Sequence, residues 1–207
     1  IDTARATSKR VVLVDAGDFT GVLPATAQPR GLFLLEMSKK LGYDAMTIGD
    51  GEARLGGEFL RSLAADSSAH VVSANLRDHD SGKLLYAKRR ILDKAGVTVG
   101  VTAVTGATSK EGGELAGLGI ESSDPQEALA DVLPDLRRRC DVTVLLARMP
   151  IEQAKQLVER FPDLVDIVVV GWAQDGRGLV HRENGGAVYV TAANRGQGVG
   201  RVRALLG

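Results

Sequence analysis

Short, β-branched apolar runs alternate with stretches of helical spacing along this whole chain, and that alternation restricts the fold more than any other feature. Residues 142–146 (VTVLL) and 167–170 (IVVV) read as buried strands. The stretch between the first of these and the loop before it, 124–139, reads as a helix. It opens on Asp124-Pro125, with Asp124 or Ser123 as cap and proline just inside the start. Further strands are expected at 11–14, 45–48, 71–74, 97–104 and 188–191, and helices at 31–41, 58–65 and 151–161. Gly42 is placed to stop the first of these helices. Residues 83–91 have a mixed pattern that suits an antiparallel excursion, and 199–206 suits either a final strand or a short helix. Residues 106–119, rich in Gly and Ser, read as a long loop, the kind that borders clefts. Strands separated by helices imply a sheet with helices on its faces.

Composition narrows the function classes. The 207 residues are 44% hydrophobic and 25% charged, ordinary values for a globular α/β chain. With 26 basic and 26 acidic residues the formal charge is zero, so no long-range field draws the chain to nucleic acid or to an anionic membrane. The triplet Arg137-Arg138-Arg139 fits the last turn of a helix, where cations complement the dipole. Cys140 is the only cysteine, which excludes an internal disulfide and a multi-cysteine zinc site. No apolar run reaches the ~18 residues that a membrane span requires. The chain opens at Ile1 without Met, which reads as a processed product or a fragment.

Seven blocks in order carry a resemblance. VVLVDAGD at 11–18 precedes GYDAMTIGDGE at 42–52, and residues 59–76 end in VVSANL. GVTVGVTAVT follows at 96–105, then DPQEALADVLPDLRRRCDVTVLLA at 124–147, LVDIVVVG at 164–171 and VYVTAANRGQGVG at 188–200. Together they resemble the calcineurin-like metallophosphoesterases, in the 5′-nucleotidase and UDP-sugar hydrolase branch. The resemblance implies an α/β sandwich of two sheets flanked by helices. It also implies a single domain over 1–207 without the family's first strand and its Asp-x-His motif. That family's chemistry uses two divalent metals clamping a phosphate and activating water.

Carried over residue by residue, the motifs leave little of that metal site. Asp18 matches the bridging aspartate, and it also suits a turn after Ala16-Gly17. Asp50 stands where the family has Asn in GNHE, and Gly51 stands where it has His. Arg148 takes the place of the His in the LSH block, and a fixed cation ligates no metal. Trp172 and Gln174 take the places of both histidines in GHxH. Asp50 and Glu52 flank Gly51 and could together hold one cation, although they read first as surface-loop carboxylates. Arg148, near the point where Asp18 and Asp50 converge in such a fold, is expected to neutralise them as an ion pair. Trp172, the only tryptophan, is either a stacking platform at the cleft mouth or rim filling. Asp78-His79-Asp80 reads as a solvated turn, since neighbours on a loop rarely converge on one ion.

The resulting expectation is a metallophosphoesterase-like pseudoenzyme: no metal cofactor, no catalysis, and a binding or scaffold role in an exported, periplasmic or extracellular assembly. Its partners would be proteins, with a multihaem c-type cytochrome assembly as one candidate. One alternative is a divergent phosphoesterase using a single divalent cation (Mn, Zn or Ca) held by Asp18 and Asp50. Another is a nucleotide or sugar-phosphate binding module, in which Arg148 holds phosphate and Trp172 stacks on a base.

Overall fold

Four parallel neighbours dominate the core of the computed structural model, which describes residues 1–21, 27–106, 115, 117–172, 180–182, 186–192 and 198–205. Strands β5 (Thr98–Thr105), β7 (Val142–Pro150), β8 (Ile167–Trp172) and β10 (Val188–Thr191) lie side by side and parallel. Two antiparallel strands finish this sheet, β4 (Arg89–Asp93) against β5 and β9 (Val180–Arg182) against β10. A smaller sheet pairs β1 (Val14–Asp15) in parallel with β2 (Ala45–Met46). Isolated bridges from Met46 to Val71 and from Val72 to Ala87 extend it. Strands β3 (Leu76–Asp78) and β6 (Ile120–Ser122) form a separate antiparallel pair.

Side-chain alternation assigns the layers. Val101, Ala103, Val144 and Leu146 of the large sheet pack against Ala16, Ala45 and Val72 of the small one. On the far side of the large sheet, Leu145, Val168 and Val170 meet helices α5 (Pro125–Arg139) and α6 (Ile151–Val158). On the far side of the small sheet, Met46, Ile48 and Val71 meet α2 (Gln28–Leu41) and α4 (Gly57–Ala65). The order is therefore helix, sheet, sheet, helix. The described residues also include two short α-helices, α1 (Asp2–Thr7) and α3 (Asp50–Arg54), the second following β2.

Helix α5 illustrates how local signals and burial combine. Asp124 caps it by accepting from the backbone N–H groups of Gln126 and Glu127, and Pro125 occupies the first turn. Pro134 lies inside the helix, where its missing N–H and ring cost about 3 kcal/mol. Leu129, Val132, Leu133 and Leu136 are fully buried, at about 1.5–3 kcal/mol each, so packing outweighs the break. The last-turn arginines are engaged within the protein: Arg137 pairs with Asp166, and Arg138 and Arg139 pair with Asp135.

The expected helix at 124–139 and strand at 188–191 match closely, whereas four segments differ. Only Val14–Asp15 of the first apolar run pairs in a ladder, and 71–74 contributes isolated bridges rather than a strand. Strand β7 runs on to Pro150, past the apolar stretch that marked it. Residues 201–205 form neither strand nor helix. Of the long loop expected at 106–119, residues 107–114 and 116 lie outside the described residues.

Candidate functional site

The described candidate residues sit at or just beyond the carboxyl ends of parallel strands, the edge where open α/β sheets place their ligands. Asp18 follows β1, Asp50 opens α3 after β2, Arg148 lies near the end of β7, and Trp172 ends β8. Two sheets thus deliver four side chains to one place.

The turn after β1 is sharply folded. Gly17 has φ +94° and Asp18 φ +65°, so a non-glycine residue is held in the left-handed region. Asp15 Oδ1 accepts from the Gly17 N–H at 2.8 Å, which closes the turn on itself. Asp18 then presents Oδ1 to the Gly51 N–H at 2.8 Å and Oδ2 to Arg148 Nη2 at 2.6 Å. Asp50 Oδ2 meets the same Nη2 at 2.5 Å. Arg148 Nη1 donates to the Gly171 carbonyl, and its Cζ lies 5.0 Å from the centroid of the Trp172 ring, a cation–π contact. Arg148 is only 6% exposed. Its Nε is buried without a hydrogen-bond partner among the described residues. The β7–β8 register shifts between Ala147 and Pro150, so an irregularity aims Arg148 into the site.

Glu52 occupies a different place from the surface loop in which the sequence put it. It is wholly buried at the third position of α3, with Gly49 as N-cap. Its carboxylate accepts from the N–H groups of Gly49, Asp18 and Thr20 and from the Thr20 hydroxyl, at 2.8–2.9 Å. Half of a capping box is thereby formed, and it also fastens the 18–20 turn to α3. Burial raises its pKa, while the hydrogen bonds from Thr20 and Gly49 oppose the rise.

Gly51 has a steric explanation of its own. A Cβ there would overlap the Gly21 carbonyl and stand 2.9 Å from Thr20 Oγ1, so the turn after β1 occupies the space a side chain would need. Gly51→Ala is expected to cost about 1–3 kcal/mol by overpacking. Urea unfolding checks it, and an unchanged midpoint would show that the turn yields freely.

Asp15 was not singled out in the sequence. Burial pushes its pKa up to about 7, with Glu52 and Asp18 nearby adding to the rise. Between the ordinary 3.8 and about 7, the folded protein holds a proton that the unfolded chain has released. Stability from this group is therefore complete below that window and is lost as pH rises through it. The protein is expected to melt at a higher temperature near about pH 5 than near about pH 8, with Asp15→Asn reducing the difference. Equal slopes for both proteins would rule Asp15 out as the source.

Among the described residues, no three His, Cys, Asp or Glu side chains are grouped to hold a metal ion. Gln174 lies outside the described residues. Asp78-His79-Asp80 stays at the surface, where His79 contacts Glu121 at 2.5 Å and Asp78 accepts from Ser81.

Comparison with known proteins places the fold. The 5′-nucleotidase of Vibrio cholerae is 32% identical over 139 residues, which cover 66% of this chain and 25% of that protein. The chain thus spans about a quarter of the length of this curated relative. The sulfate thiohydrolase SoxB of Thermus thermophilus superposes with a TM-score of 0.73 at 17% identity, covering 92% of this chain and 36% of that one. YfkN of Bacillus subtilis, a calcineurin-like phosphoesterase, gives 0.71 at 18%, covering 93% and 70%. A 5′-nucleotidase precursor from Thermus thermophilus gives 0.67 at 20%, covering 93% and 41%. No family model matches the chain. The architecture is the metallophosphoesterase α/β sandwich. In sequence the chain is similar to bacterial 5′-nucleotidases, and its fold is that of the calcineurin-like metallophosphoesterases.

Proposed function

We propose that this chain is a metallophosphoesterase-like domain in which an internal ion pair stands where the family has its metals, and that it serves as a non-catalytic binding or scaffold domain. The observation that carries the reading is Arg148 Nη2, which lies within 2.6 Å of both Asp18 and Asp50. A two-metal centre needs several anionic oxygens and neutral imidazoles around two cations. The residues present do not fit one. Both convergent carboxylates already face a guanidinium, Gly51 has neither a side chain nor room for one, and Trp172 offers a ring.

A single divalent cation on Asp18 and Asp50 would have to displace a charge that is 94% buried, at the cost of stranding it. The phosphate-binding alternative gains little from the geometry, since both terminal nitrogens of Arg148 are engaged by the protein's own oxygens. Two carboxylates at that spot would also repel an anion. We take the partners of the domain to be proteins. Its relatives make export to the periplasm or cell exterior the natural setting, one of them being described as a precursor. No helix among the described residues is long and apolar enough to cross a membrane.

Metal content tests this reading. After dialysis against manganese, zinc and calcium and then washing, mass spectrometry is expected to find less than about a tenth of an equivalent per chain. One tightly held equivalent, with a phosphatase activity abolished by Asp18→Asn, would overturn it.

A further inference from the structure

Much of the wall around Arg148 is fastened by contacts other than those to Arg148. Asp18 is held by the Gly51 N–H on its Oδ1 and by Glu52 on its backbone N–H. Asp50 is the first residue of α3, whose N-cap Gly49 is fixed by Glu52 at 2.8 Å. Gly171 belongs to β8 inside the large sheet and abuts the Ala16 carbonyl so closely that a Cβ would overlap it. The Asp18 carboxylate, the Gly171 carbonyl and the backbone that carries Asp50 are therefore in position whether or not a cation lies between them.

We propose that these groups form a guanidinium-binding cage, and that the chain fills it from within with its own Arg148. The geometry suits a guanidinium in particular. Nη2 meets two carboxylates, Nη1 meets a carbonyl, and the ring of Trp172 lies within cation–π range of the planar group. An ammonium has neither the fork nor the plane. The cage rests on the reading above only in taking Arg148, rather than a metal, as the resident cation. Wild-type metal content judges that reading, whereas the cage is judged on a variant.

Arg148→Ala vacates the cage. Its melting temperature is to be followed against added methylguanidinium, with methylammonium, manganese, calcium and sodium chloride at matched ionic strength as controls. A rise of about 3–6 °C is expected once methylguanidinium exceeds its dissociation constant about tenfold, with a much smaller response to methylammonium. Wild type, its cage already filled, should not respond. The triple variant Arg148→Ala with Asp18→Asn and Asp50→Asn should also fail to respond, and should be more stable than Arg148→Ala alone. If Arg148→Ala does not fold unaided, the same comparison is read as recovery of folded protein on refolding with each cation. Equal responses to all cations, a response in the triple variant, or rescue by a divalent metal instead would each overturn the cage.

Discussion

Glu52→Ala is expected to remove about 3–5 kcal/mol of stability, the largest loss of any single change at the site. Four donors converge on this one buried carboxylate, three backbone N–H groups and a hydroxyl. Each donor stranded in the interior costs about 1–3 kcal/mol. Water entering the vacated volume recovers part of that sum and keeps the total below it. Glu52→Gln retains the volume but turns an amide NH2 toward N–H groups, so it should fall between wild type and alanine. Urea unfolding gives the comparison. A loss under about 1 kcal/mol for the alanine variant would mean that the turn after β1 is held by other contacts.

Arg148→Ala is expected to cost about 2–3 kcal/mol. Stripping one partner from a fully buried ion pair costs about 3–5 kcal/mol, because the remaining charge is left without compensation. Here the side chains of Asp18 and Asp50 are 35% and 21% exposed, so water solvates part of what is left. Loss of the contact with Trp172 adds about 0.5–1 kcal/mol. Adding Asp18→Asn to Arg148→Ala should return part of the loss by removing one of two like charges left facing each other. A neutral or stabilising result for Arg148→Ala would show that the ion pair contributes nothing net to the fold.

The parts of the structure legible in the sequence are those whose causes are local. Helix α5 announces itself through an Asp cap, a first-turn proline and a basic last turn, all within its own span. The parallel strands show as apolar runs because they are covered on both faces. The apolar run ends before strand β7 does, because the last residues of the strand include Arg148, whose charge is met by carboxylates far away in sequence. Helix α3 is hidden in the sequence for a related reason. Gly49-Asp50-Gly51 reads as a turn, and only the buried carboxylate of Glu52 makes a helix start there. Asp18, with its turn and ligand readings, does two things at once: it sits at positive φ in a turn, and it pairs with Arg148. Asp15 gave no signal, because nothing in its neighbours reveals that burial will shift its titration.

The bridge from Arg148 to Asp50 joins positions 98 residues apart. Closing so long a loop is entropically costly, and both sheets must already be side by side before the two groups can meet. The contact therefore belongs to the end of folding. It acts as a latch on the finished molecule, governing how fast the protein comes apart more than how fast it assembles. In a chevron analysis, Arg148→Ala should raise the unfolding arm and leave the folding arm nearly in place. An equal shift in the folding arm would place the bridge in the nucleus instead. Wherever proteases attack opened chains, a slow-opening latch at the meeting of two sheets lengthens the working life of a domain, whatever it binds.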